Sequence, residues 1–114
     1  MKNGFLLCLI CLSLAVVKPM WADNSGMGAD NFEMHGGKRG KVPFPHRVHQ
    51  EKLEDCMACH SMFEQKSGEI ERLKSEKKLK KKKVMNALCI KCHKKEKRAG
   101  NKAGPTKCNT CHIK

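Results

Sequence analysis

The sequence predicts a small, mostly irregular domain, with a few short α-helices and a short N-terminal β-hairpin wrapped around a centre that side chains do not fill. Three observations predict this fold class. Helix and strand patterns are brief and are separated by turn residues. The 114 residues include four phenylalanines, one tryptophan and no tyrosine, too few for a large side-chain core. A unit built from cysteine and histidine occurs three times, which indicates that a bound group occupies the centre.

Residues 1–22 are typical of a secretory signal peptide. Lys2 precedes an apolar stretch from Phe5 to Val17, and polar residues begin after Ala22. The apolar stretch is shorter than the roughly 20 residues that a membrane-spanning helix needs. We therefore expect export, cleavage after Ala22 and no stable membrane insertion. Cys8 and Cys11 would be lost with the leader.

Cleavage would leave a short chain in which all cysteines are paired in sequence. Of the eight cysteines, the six that remain each belong to a Cys-x-x-Cys pair. The aromatic residues that remain are Phe32, Phe44 and Phe63. A domain of this size and composition needs disulfides, metals or cofactors to be stable.

The predicted elements of the N-terminal half are all short. In chain order they are a flexible lead at residues 23–31, a hairpin of residues 32–34 and 41–44 around a turn at 35–38, a helix from 44 to 55 and a loop at 61–68. Glycines favour the turn, and Pro45 suits the first turn of a helix.

Residues 69–88 are predicted to form one helix, because apolar residues recur on one side and glutamate–lysine pairs lie four residues apart. Beyond this helix we expect short turns around the cysteines and a break at Gly104-Pro105. The domain would run from residue 32 to 114, with a lysine-rich insertion at about 69–84.

Basic residues dominate the charge. Without Lys2 and Lys18, 22 basic residues stand against 11 acidic ones, a formal charge of +11. Such an excess attracts acidic partners, but it also suits nucleic acid, so charge alone does not decide between them. The run from Lys77 to Lys83 is either a solvated helical face or a docking patch.

One chemical unit, Cys-x-x-Cys-His, occurs three times. The copies are Cys56-Met57-Ala58-Cys59-His60, Cys89-Ile90-Lys91-Cys92-His93 and Cys108-Asn109-Thr110-Cys111-His112. Two thiols three residues apart can form thioethers with the two vinyl groups of one haem, and the adjacent histidine can bind its iron as an axial ligand. The sequence therefore predicts three covalently attached c-type haems.

Structural zinc is the main alternative, since paired cysteines and histidine also build zinc sites. Zinc ribbons use cysteine pairs two at a time, which would leave one pair over. They also do not require a histidine directly after the second cysteine of every pair. Thioredoxin-like chemistry would need one pair near a strand–helix unit, not three in a lysine-rich chain.

Each haem also needs a ligand on its opposite face, and three further histidines are available: His35, His46 and His49. His46 and His49 lie three residues apart, so on a helical turn they project to nearly the same side. If they bind different irons, those two haems must be close together. The alternative is that these are surface histidines.

Two stretches flank the haem units: Phe44-Pro45-His46-Arg47-Val48-His49-Gln50 before the first, and Gly104-Pro105-Thr106-Lys107-Cys108 at the third. With them, the sequence from about Val42 to the C-terminus resembles the triheme cytochromes c7, relatives of the tetrahaem cytochromes c3 of metal- and sulfur-respiring bacteria. The resemblance implies that His46 is the distal ligand opposite His60. It likewise implies that His49 lies opposite His93, and that Phe44 packs between those two haems.

The sequence departs from that family at the third haem. The family's distal histidine lies four residues before the second Cys-x-x-Cys-His unit, and Met85 occupies that position here. A thioether sulfur can bind iron, and methionine paired with histidine raises the reduction potential. We expect Met85 opposite His112, with His35 as the rival ligand and an open or lysine-bound iron as a further alternative.

Nothing in the sequence indicates a substrate pocket, so we expect an electron carrier and not an enzyme. The resemblance implies a periplasmic protein that passes electrons from inner-membrane oxidoreductases to outer-membrane cytochromes. We expect a monomer that meets acidic redox proteins briefly and does not bind nucleic acid. The alternatives are a reductase acting directly on soluble metal ions and a zinc-dependent nucleic-acid binder.

Overall fold

The computed structural model describes residues 26–114, so the predicted signal peptide, with Cys8 and Cys11, lies outside the described residues. All helices and strands in the described part are short. In chain order they are β1 Phe32–His35, β2 Lys41–Phe44, α1 His46–Leu53, α2 Met57–His60, α3 Glu69–Ser75, α4 Ile90–Arg98 and α5 Cys108–Cys111. The predicted fold class, mostly irregular with a short N-terminal hairpin, is confirmed.

The hairpin pairs β1 with β2 in antiparallel register, with Phe32 opposite Phe44. The C-terminus lies beside it, because Lys41 and Ile113 exchange two backbone hydrogen bonds of 2.8 and 2.9 Å. Gly40 allows this approach: its φ is +98°, and a Cβ there would lie 2.1 Å from the Ile113 carbonyl oxygen. The third Cys-x-x-Cys-His unit is thereby held against the hairpin.

The prediction of one helix over residues 69–88 is wrong. Helix α3 ends at Ser75, and Lys77 adopts a left-handed conformation with φ of 60°. The N–H of Lys78 then donates to the Leu73 carbonyl at 2.9 Å, and that of Lys77 to the Lys74 carbonyl at 3.1 Å, the bond pattern of a Schellman motif.

Two physical causes account for this break. Closely spaced lysines repel one another on a helix surface, which weakens the helix through the lysine run. Ending the helix also lets the chain turn back, so that Leu79 becomes buried with its side chain 8% exposed. Burial of one leucine contributes about 1.5–3 kcal/mol, which offsets several lost helical hydrogen bonds.

The chain beyond residue 88 is more helical than predicted. A π-helical turn at Met85–Cys89 leads directly into α4. Helix α4 ends at Arg98 and is followed by Gly100, whose φ is +83°, with the N–H of Asn101 donating to the Glu96 carbonyl at 3.0 Å. The predicted short turns here are therefore replaced by a nine-residue helix with a glycine stop.

Side chains alone do not form a hydrophobic core in the described part of the chain. Leu79 is the buried hydrophobic residue there, whereas Val48, Met57 and Ile113 are each at least half exposed. Among residues 26–114, no helix has the length and apolar character needed to cross a membrane.

Candidate haem centres

Each Cys-x-x-Cys-His unit occupies about one helical turn. In the first unit the His60 N–H donates to the Cys56 carbonyl at 2.9 Å, and in the third the His112 N–H donates to the Cys108 carbonyl at 2.9 Å. One turn places the two thiols of a unit on the same side, with the histidine adjacent. None of the six cysteines in the described part is in a disulfide, so all six thiols are available for thioether bonds.

The three units converge on the middle one. Burial raises the pKa of the Cys59 thiol, and its neighbour Cys92 raises it further. Burial likewise raises the pKa of Cys89, with smaller contributions from Cys59 and Cys111. Cys89 is therefore close enough to cysteines of both other units to be influenced by them.

Two histidine pairs face each other across short gaps. The ring centres of His46 and His60 are 6.3 Å apart with the planes at 80°, and those of His49 and His93 are 6.1 Å apart at 27°. Two imidazoles that bind one metal from opposite sides, each with a metal–nitrogen distance of roughly 2 Å, have ring centres about 6 Å apart. The structure thus brings together both predicted pairs at the spacing that an axially bound iron requires.

All four of these imidazoles have the same hydrogen-bonding feature: Nδ1 lies within reach of a backbone carbonyl oxygen. The partners are His46 with Ala29 at 3.0 Å, His49 with Pro45 at 2.8 Å, His60 with Phe63 at 3.2 Å and His93 with Pro105 at 2.8 Å. When Nδ1–H donates to the carbonyl, Nε2 keeps its lone pair for a metal. The donor set therefore fits haem iron.

Two glycines make room for the histidines of the second and third units. A Cβ on Gly104 would lie 2.4 Å from Cε1 of His93, and a Cβ on Gly36 would lie 2.2 Å from Nδ1 of His112. Neither glycine has a positive φ, so the requirement at both positions is the close approach of the ring, not the backbone conformation.

Phe44 stacks on the imidazole of His49, with ring centres 4.4 Å apart and the planes at 27°. Its ring also lies 6.0 Å from that of His46, so it contacts both predicted distal ligands. Phe32 lies 5.2 Å from Phe44, and Phe63 lies 5.2 Å from His60. The sequence pattern indicated no role for Phe32 or Phe63, although the position of Phe32 opposite Phe44 in the predicted hairpin was an available signal.

The third centre is less defined. Met85 is half-buried at the start of the π-helical turn, four residues before Cys89, which lies near Cys111. His35 is exposed on β1, and the residue after it, Gly36, contacts the ring of His112. Among the described residues, no ring contact joins His35 to His112. The distal ligand of this centre therefore stays a prediction.

The described residues do not support the zinc alternative. Between residues 26 and 114, no three side chains of histidine, cysteine, aspartate or glutamate form a group that could hold a metal ion. Within each unit the thiols instead lie beside a histidine that faces a second imidazole or a glycine.

Comparison with known proteins gives one consistent family. Residues 42–113 match the family described as cytochrome c7 and related cytochrome c. The chain is 38% identical over 77 residues to a cytochrome c3 of Desulfuromonas acetoxidans, covering 68% of this chain and 88% of that protein. It is 36% identical over 77 residues to a cytochrome c7 of Geobacter metallireducens, covering 68% and 69%.

Solved structures give the same result. The solution structure of the triheme cytochrome PpcA from Geobacter sulfurreducens is 35% identical, with a TM-score of 0.53, and the match covers 75% of this chain and 100% of that one. The cytochrome c7 PpcB from the same organism is 34% identical, with a TM-score of 0.52 and the same coverage.

Proposed function

We propose, from the premise that the chain belongs to the cytochrome c7 family, that it relays electrons in the periplasm between inner-membrane and outer-membrane redox partners. Members of this family are multihaem electron-transfer proteins, and this chain is accordingly a c-type cytochrome with three haems. It is an electron carrier. The location, the partners and the ligand set are the parts that we propose.

The proposed ligand set assigns each haem two thioethers and two axial ligands. The sets are Cys56, Cys59, His60 and His46 for the first haem; Cys89, Cys92, His93 and His49 for the second; and Cys108, Cys111, His112 and Met85 for the third. The observation that carries this proposal is the pair of imidazole spacings, 6.3 and 6.1 Å, at the first two sites.

Haem supplies an iron that cycles between the ferric and ferrous states, and the protein does the rest. Its cysteines would fix the position of each haem, and the axial side chains would keep the iron low-spin, so that little rearrangement would accompany electron transfer. Phe44 is stacked on His49 and close to His46, so it lies beside both proposed distal ligands. Convergence of the units around Cys89 supports short electron-transfer distances.

The sequence of residues 1–22 supports a periplasmic location, because it is typical of a leader that directs export. Export also agrees with c-type haem attachment to the chain. The proposed partners are acidic redox proteins, namely other cytochromes and membrane oxidoreductases. We propose that the protein meets them as a monomer. Lysines at 77 and 80–83 are exposed and available for such encounters. Charge complementarity of this kind raises association rates and keeps contacts brief.

An intact mass of the protein purified from periplasm tests the proposal. We expect the mass of residues 23–114 plus three haems, and a low-spin c-type spectrum that changes on reduction with dithionite. Removal of His46 and His49 in separate variants should each convert one haem to high spin. A mass without the haem increments, or variants with an unchanged spectrum, would contradict the ligand set.

A direct metal-ion reductase is the second candidate, favoured by one observation: among the described residues, His112 has no second imidazole stacked opposite it. A weakly held ligand at the third haem would let a soluble metal complex approach the iron or its edge. Stopped-flow oxidation of the reduced protein by ferric citrate distinguishes the two functions. Fast oxidation that carbon monoxide blocks would favour the reductase.

A further inference from the structure

Residues Met27–Asp30, here called the strap, lie upstream of the residues that match the family and bond to helix α1. The side-chain amide of Gln50 donates to the Met27 carbonyl at 2.7 Å. The backbone N–H of Arg47 donates to the Asp30 carbonyl at 2.9 Å. The Arg47 guanidinium also donates from Nε to the Asp30 carboxylate at 2.7 Å.

The strap also reaches the imidazole of His46. Nδ1 of His46 lies 3.0 Å from the Ala29 carbonyl oxygen. Gly28 precedes this contact with φ of +75°, a conformation that favours glycine, and a Cβ there would be 3.7 Å from Cε1 of the same ring. The strap therefore follows the edge of this ring at two consecutive residues.

His46 needs an external acceptor because of its place in the chain. His49 donates to the carbonyl of Pro45, four residues earlier and next to the start of α1. His46 is the first residue of α1, and the residue four before it, Val42, belongs to β2. No preceding helical turn can supply the carbonyl, and the strap supplies it instead.

We propose that the strap is a positioning element for the distal ligand of the first haem. This inference rests on the proposed function, in which His46 binds that iron. Donation from Nδ1–H to Ala29 fixes the tautomer in which Nε2 carries the lone pair, and it makes the imidazole a stronger ligand. A stronger imidazole ligand keeps the iron six-coordinate and favours its ferric state.

The solvent exposure of the Asp30–Arg47 ion pair limits how strongly it attaches the strap to α1. The side chains of Asp30 and Arg47 are 58% and 28% exposed, and ion pairs in such surroundings contribute little alone. Retention of the strap therefore depends on its five hydrogen bonds acting together, and removal of the three made by the side chains of Asp30 and Gln50 should release it. Loss of hydrogen bonds of ordinary strength changes an equilibrium by about two- to tenfold.

The test uses the holoprotein with the double change Asp30→Ala and Gln50→Ala, which removes the Arg47–Asp30 ion pair and the Gln50–Met27 hydrogen bond but leaves the residues of the His46–Ala29 contact unaltered. We expect carbon monoxide to bind the reduced protein about two- to tenfold faster, because it competes with His46, and one of the three reduction potentials to rise. The control is Glu33→Ala, which breaks the exposed Glu33–Lys41 ion pair of the hairpin, and it should change neither quantity.

A second measurement needs no substitution. In the unaltered protein, the Nδ1 proton of His46 should exchange with deuterium as slowly as that of His49. Fast exchange at His46, or carbon monoxide rates and potentials unchanged in the double variant, would overturn the strap inference.

His46→Ala separates the two proposals. If it leaves all three haems low-spin, the ligand set is wrong. If it produces one high-spin haem while the double variant behaves like the unaltered protein, only the strap inference fails.

Discussion

The imidazole of His93 packs against the Cα of Gly104 so closely that a Cβ at that position would lie 2.4 Å from ring atom Cε1 and 3.0 Å from Nδ1 and Nε2. The same ring lies 2.8 Å from the carbonyl oxygen of the next residue, Pro105, through Nδ1. The loop that leads to the third Cys-x-x-Cys-His unit therefore orients the histidine of the second, so the two units share one structural support.

Gly104→Ala should displace the His93 ring. Overpacking of this kind costs about 1–3 kcal/mol, so we expect a lower free energy of unfolding and a weakened iron–histidine bond at one haem. Thermal unfolding and the low-spin fraction of the oxidised protein measure the two effects. Gly26→Ala is the matched control, because a Cβ on Gly26 has no atom within 4 Å. Equal behaviour of the two variants would contradict this account.

Glu69→Gln should make stability less dependent on pH. The buried Glu69 carboxylate accepts two hydrogen bonds from Arg72, at 2.6 and 2.9 Å, and these bonds lower its pKa from the ordinary 4.5. A depressed pKa contributes stability that is complete above the unfolded value and is lost as pH falls through the folded one. The variant should therefore unfold at a lower temperature than the unaltered protein at pH 7.

The same comparison at pH 3 should give a smaller difference, since pH 3 lies below the ordinary pKa of 4.5, where part of the stabilisation from a depressed pKa is already lost. Glu51→Gln on the exposed face of α1 is the control, with little change expected at either pH. A difference that is as large at pH 3 as at pH 7 would show that packing, not the ion pair, explains the effect of Glu69→Gln.

Local chemistry made much of this site predictable. Cys-x-x-Cys-His units report haem attachment directly, and the spacing of His46 and His49 indicated two ligands that project from one helix. The break after α3 was not predictable from periodicity, because its cause is tertiary. The chain turns back so that Leu79 becomes buried, and Lys77 adopts a left-handed conformation that no sequence pattern indicates. Helix α4 was missed, although Gly100 is a common stop signal.

The strap and the glycine contacts were also unpredictable from the sequence, but for a different reason. Ala29 and Gly104 contribute a carbonyl oxygen and the absence of a Cβ, and neither feature has a distinctive residue pattern. Backbone groups that support a ligand become visible only when the fold brings distant segments together. The sequence therefore indicated the candidate ligands, and the structure shows the backbone groups that hold their side chains.

Neutralising Lys80, Lys82 and Lys83 together should reduce the salt dependence of electron exchange with an acidic cytochrome. These lysines line one shallow depression, so a partner can meet them at once. With glutamine at all three positions, we expect the association rate at low ionic strength to fall by roughly half an order of magnitude, with the spectrum unchanged. Stopped-flow measurements over a salt series provide the readout.

The control carries the same loss of charge at scattered exposed positions, Lys38, Lys52 and Lys102. If net charge alone governs the encounter, both triple variants should lose the same salt dependence. Such a result would indicate that the lysine run is a solvated surface and not a docking patch.

Met85→His should lower one reduction potential and leave the other two nearly unchanged. Thioether sulfur stabilises ferrous iron relative to imidazole, so replacing it with a histidine should shift the third haem by on the order of 100 mV, a fraction of the ~0.8 V that axial ligands span. The oxidised unaltered protein should also show the weak long-wavelength band of methionine-bound ferric haem, and the variant should lack it. Spectroelectrochemical titration measures both.

His35→Ala is the decisive companion, because His35 directly precedes the glycine that contacts His112. If His35→Ala converts one haem to high spin while Met85→Ala leaves the spectrum intact, His35 is the distal ligand and the third haem is a bis-histidine centre like the other two.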